Sequence, residues 1–142
     1  MANVIPYAFR GELFSGTHNF ASGGNTFKLA LYTANPYDTS STVYVTTNEV
    51  SSAGGTNYVA AGNTLGSNAV VSTTAVASCD FADTSWTSAT ITAAFGTIYN
   101  SSASNKVAVV LDFDGSKSCT NGTFTISFPS PSTAADAIIS MA

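Results

Sequence analysis

The sequence predicts an all-β protein, an antiparallel β-sandwich, a jelly roll or a related sandwich, that carries a short N-terminal arm or helix. Three observations carry that reading. Short segments of alternating apolar and polar residues recur about every ten residues between turn signals, which is the spacing of sandwich strands. Thr, Val, Tyr and Phe are plentiful, and β-branched and aromatic side chains fit a pleated, half-buried sheet. No helical stretch stands between the strands to make a parallel crossover, so their pairing is antiparallel.

Residues 1–26 differ from the rest and form the arm, and residues 27–142 form the sandwich domain. Pro6 can open a helix, and "YAFRGELF" sets Tyr7, Phe9 or Arg10, and Phe14 at roughly helical spacing before Gly16 ends it. "ASGGN" at 21–25 then reads as a flexible hinge. The first strand is "FKLALYT" at 27–33, with Phe27, Leu29 and Leu31 facing one way and Lys28, Ala30 and Tyr32 the other. Further strands are expected at 42–46, 56–61, 69–77, 79–83, 88–94, 96–100, 106–113, 124–128 and 137–141.

The best-marked strand is "KVAVVLDF" at 106–113, with Val107, Val109, Leu111 and Phe113 inward. Its expected antiparallel partner is "FTISF" at 124–128, with Phe124, Ile126 and Phe128 inward. Asp114 to Gly122 would be the loop of that hairpin, Asn121-Gly122 supplying the positive φ angles of the reversal. Pro129 and Pro131 would stop the ladder, since proline donates no backbone hydrogen bond.

The 142 residues fit one domain with a substantial core. Only 8% of them are charged, about a third of the usual share, while 20 Ser and 20 Thr coat the chain with hydroxyls. Four basic residues against eight acidic ones leave a net charge of −4, a balance that suits neither a phosphate backbone nor an anionic lipid surface. Nucleic acid and membrane are therefore not expected partners. The start, "MANVIPYAFRGELF", lacks the central apolar run of a signal peptide, so synthesis in a cytoplasm is expected. In such a compartment Cys79 and Cys119 are expected to be free thiols rather than a disulfide.

Chemistry finds little to work with. His18 is the only histidine, in a segment that reads as mobile, so a Ser-His-Asp set would rest on it alone and a surface or interface role is expected. Two cysteines and one histidine cannot close a zinc site. The Asp112-Phe113-Asp114-Gly115 tract fails the calcium-loop pattern, because Lys117 stands where glycine is needed and Thr123 where a bidentate glutamate is needed. Trp86 reads as a core or sheet-edge plug rather than a sugar platform. Tyr37, Tyr44 and Tyr58 are candidates for loop positions that contact a partner, with cross-strand packing as their default role. No catalytic residue, cofactor or metal is expected.

Several stretches in order, "IPYAFRGELFSGTHNF" (5–20), "FKLALYTA" (27–34), "TTNEVSSAGGTNYVAAG" (46–62), "CDFADTSWTSATITA" (79–93), "TIYNSSASNKVAVVLDF" (97–113) and "GTFTISFP" (122–129), resemble a family of small virion proteins of tailed bacteriophages, the head decoration or cement proteins. The resemblance covers most of the chain. It implies a jelly-roll sandwich on the head surface of the virion, made in the host cytoplasm. There it would bind the major capsid protein, bridge neighbouring subunits and self-associate as a dimer or trimer. A tail-associated or receptor-binding virion protein of the same fold is the alternative. The expected partner contacts are Tyr7, Phe9, Arg10, Glu12, Phe14 and His18.

Overall fold

The computed structural model describes residues 3–129 and 137–141, and Pro131 lies outside them. Among the described residues the fold is mostly β, with two antiparallel sheets and one short helix. After helix α1 (Tyr7–Phe14) come β1 (Phe27–Tyr32), β2 (Asn63–Thr64), β3 (Ala69–Ser72), β4 (Ala77–Asp80), β5 (Thr84–Asn100), β6 (Lys106–Ile126) and β7 (Ile139–Met141). One sheet runs β2-β1-β5-β6 and the other β3-β4-β7.

β1 behaves as its alternation predicts. Phe27, Leu29 and Leu31 enter the main core cluster, and Ala30 and Tyr32 enter a second cluster on the opposite face. Both faces of the strand are thus covered, and Leu29, Ala30, Leu31 and Tyr32 are all fully buried.

The expected hairpin between 106–113 and 124–128 is corrected: 106–113 and 124–126 belong to the one strand β6, paired along its length with β5, and 127–128 lie just past its end. The expected strands 88–94 and 96–100 are likewise a single β5. The turn-like residues were absorbed as bulges. Asp114 (φ 54°) and Gly115 (φ 96°) lie where four residues of β6 face one of β5, and Asn121 (φ 47°) lies in a second such mismatch. A bulge holds a positive φ without reversing the chain. A third inserts Ala108 opposite the Ile98-Tyr99 step, which turns Val107 to the second cluster while Val109, Leu111 and Phe113 keep to the main one. Phe124, Ile126 and Phe128 also pack there, as expected.

Segments 42–46 and 56–61 are not strands. Val43 makes one isolated bridge to Lys106, and the loop is held by tyrosine hydroxyls instead. Tyr44 and Tyr58 donate to the two carboxylate oxygens of Glu49 at 2.6 and 2.7 Å, and the Ala61 amide donates to the second of these at 2.7 Å. Burial and the adjacent Glu49 push the Tyr44 hydroxyl pKa upward. Tyr37 shares a 2.7 Å hydrogen bond with Tyr32, whose own hydroxyl donates to Val45 O. The expected strands 69–77 and 79–83 are redrawn as β3 and β4, with a turn at Thr73–Val76. Cys79 and Cys119 are free, and burial raises the Cys79 thiol to about 12.

Candidate docking face on the N-terminal helix

α1 begins at Pro6, whose φ of −59° suits a helix start and whose missing N–H costs nothing there. The Tyr7 amide donates to Thr39 O at 2.9 Å, tying the first turn to the loop after β1. At the other end the Thr17 amide returns to Glu12 O at 2.9 Å and Gly16, at φ +72°, turns the chain away. A helix of eight residues is marginal alone, so its persistence rests on what it packs against.

Its inner face is built from Phe9, Glu12 and Leu13. Phe9 is buried against the His18 ring at 4.8 Å between centroids, and Phe20 stacks on Phe27 at 4.4 Å. Beneath this aromatic group runs a polar chain. Glu12 Oε1 accepts from Lys106 Nζ on β6, and Glu12 Oε2 accepts from His18 Nε2 at 2.8 Å. His18 Nδ1 faces Asn100 Nδ2 at 3.1 Å, and the same amide nitrogen donates to Asn25 Oδ1 at 2.9 Å while Asn100 Oδ1 accepts from the Ser102 amide. With Asn100 Nδ2 fixed as a donor, His18 Nδ1 is an acceptor, so the imidazole proton sits on Nε2 and is donated to Glu12.

Burial works to raise the Glu12 pKa, but the hydrogen bonds from Lys106 and His18, with the Lys106 charge, outweigh it and hold the carboxyl below its ordinary value. The His18 side chain has no exposed surface and that of Glu12 13%, and with Lys106 and Asn100 the pair clamps the helix to the sheet. The expectation of a mobile, surface His18 is corrected by this packing. "ASGGN" is not a loose hinge either: Asn25 donates its amide to Asn19 O and accepts the Asn19 amide, at 2.9 and 2.8 Å.

The six expected contact residues therefore divide. Phe9 and His18 are buried and Glu12 is turned inward, whereas Tyr7, Arg10 and Phe14 point outward. Tyr7 is 62% exposed and Phe14 96%. The Arg10 guanidinium lies 5.5 Å over the Tyr7 ring. Beside them an apolar groove of about 390 Å³ runs between α1 and β7, lined by Ile5, Leu13, Phe14, Ile139 and Met141. Sequence reasoning missed Gly11, which shares the outward face, and the roles of Asn100 and Lys106. The exposed glycine in mid-helix was the available signal for the first.

Among the described residues no helix is long and apolar enough to cross a membrane, and no cluster of three His, Cys, Asp or Glu residues could hold a metal. No protein family's sequence profile, no curated protein and no solved structure matches the chain.

Proposed function

We propose that this is a structural protein of a bacteriophage virion that binds the outer surface of the capsid and ties neighbouring shell subunits together. On this reading its two sheets are the halves of a jelly-roll sandwich. It has no catalytic role, self-associates as a dimer or trimer, and takes the major capsid protein as partner. Nucleic acid and membrane are not among its partners. The observation that carries the reading is α1: a short helix clamped rigidly from beneath that presents two large aromatic rings to solvent. Isolated exposed apolar residues are common, but rings this exposed, on a fixed support and beside an apolar groove, suit a partner surface. A surface with few charges and many hydroxyls also costs less to desolvate on permanent assembly. The resemblance of the quoted stretches to cement proteins supplies the partner.

The test is cosedimentation with purified empty capsids. The wild type pellets with them, and a Tyr7→Ser/Phe14→Ser variant, unchanged in circular dichroism and melting, stays in the supernatant. Equal pelleting of that variant removes α1 from the interface. Adsorption of the wild type to host cells, with no binding to capsids, transfers the protein to the tail.

A further inference from the structure

The outward face of α1 holds Tyr7, Arg10, Gly11 and Phe14, spaced i, i+3, i+4 and i+7, which is the spacing by which a helix anchors in a partner's surface. Glycine is a poor helix former in such a position. Nothing inside the chain asks for it: a Cβ built on Gly11 meets no atom within 4 Å, and Gly11 is not among the glycines with positive φ. Its effect is external. Between Tyr7 and Phe14 the row of side chains is interrupted at Gly11, which leaves a notch of bare backbone in that row.

Arg10 stands at the side of that notch, held over Tyr7. It is the chain's only arginine and makes no ion pair among the described residues, while Glu12 is turned to the other side of the helix and engaged by Lys106 and His18. Covering Tyr7 and Phe14 necessarily takes water from Arg10, and a desolvated guanidinium needs an acceptor, best a carboxylate gripped by its planar fork. A chain of net charge −4 thus carries its only arginine beside that notch, on a face with two exposed rings.

We infer that the notch at Gly11 receives an apolar side chain of the partner protein whose neighbouring carboxylate pairs with Arg10. This deepens the capsid-binding reading and rests on it, naming the chemistry of the partner's contact as an apolar knob flanked by Asp or Glu.

The experiment again uses purified empty capsids as probe. Gly11→Ala raises the melting temperature by roughly 3 °C. Gly11→Leu melts no lower than the wild type, yet binds capsids at least about tenfold more weakly, because stability and docking respond to the same atoms with opposite sign. Arg10→Glu weakens binding by at least the same factor, and wild-type binding falls between 50 mM and 500 mM salt on the scale expected of one ion pair, about tenfold or less. Wild-type affinity in Gly11→Leu, or tighter binding by Arg10→Glu, overturns the inference while leaving capsid binding intact. Failure of the wild type to bind capsids instead removes the reading beneath it. If Gly11→Leu turns an oligomer into monomers in sedimentation but binds capsids normally, the notch takes a second copy of this chain and the assignment to a capsid knob is overturned.

Discussion

Trp86 stands directly opposite Phe124 across the β5–β6 ladder, with ring centroids 6.3 Å apart and both side chains buried. Tyr58 closes the other side of the indole at 5.8 Å. The only tryptophan is therefore a core residue, and its fluorescence should be blue-shifted and nearly insensitive to acrylamide. Strong quenching would mean that this core is open. Phe124→Ala should cost about 3 kcal/mol in urea melts, the usual loss for a buried ring that leaves a cavity.

The Glu12 carboxyl sits below its ordinary value of 4.5, so its contribution to stability is fully present above that pH and is lost as pH falls through the lower, folded value. The wild type should lose stability on acidification below about pH 4.5, in part through this group. Glu12→Gln, which keeps the shape and abolishes the charge, should be less stable at pH 7 by about 1 to 3 kcal/mol and show a shallower acid limb. Melting curves at pH 7, 5 and 3.5 for both proteins measure the difference. A parallel pair of curves would exclude Glu12 as a source of the slope.

Glu49 collects three donors in a stretch without strands, so Glu49→Ala leaves two tyrosine hydroxyls and the Ala61 amide without their acceptor. The expected loss is about 3 kcal/mol, and hydrogen exchange should show segment 44–62 opening ahead of the sheets. Tyr58→Phe removes one donor alone and should cost about 1 kcal/mol.

Gly62 has φ +74°, and a Cβ there would lie 1.8 Å from the carbonyl oxygen of Leu29. Gly62→Ala should therefore cost at least about 3 kcal/mol or prevent folding. Gly54→Ala is the control, since its Cβ meets nothing within 4 Å. Equal stability of the two variants would mean that the loop passes β1 at a greater distance.

What could be read in the sequence was whatever depends on near neighbours. The two-sided alternation of β1, the helix between Pro6 and Gly16, and the inward set Phe124, Ile126 and Phe128 all appear where the pattern put them. Asp114-Gly115 and Asn121 misled, because a residue with positive φ looks the same in a turn and in a bulge; only the partner strand distinguishes them. Segments 42–46 and 56–61 carry strand-like residues, yet their tyrosines spend their hydroxyls on Glu49 rather than joining a ladder. His18 read as a surface residue because its partner Asn100 lies 82 positions away, and Lys106 lies 94 from Glu12. Among the six N-terminal residues singled out, which lie outward (Tyr7, Arg10, Phe14) and which inward (Phe9, Glu12, His18) could not be read without knowing which side of the helix met the sheet.

The interruptions in β6 also bear on what its outer edge offers to solvent. β6 ends its sheet, and a long, regular end strand invites a stranger's backbone to continue the ladder. Three breaks in phase along twenty-one residues deny that invitation, since no straight strand can keep step with Ala108, Asp114-Gly115 and Asn121 in turn. The bulges therefore make β6 a poor template for edge-to-edge pairing, although it stands at the end of its sheet.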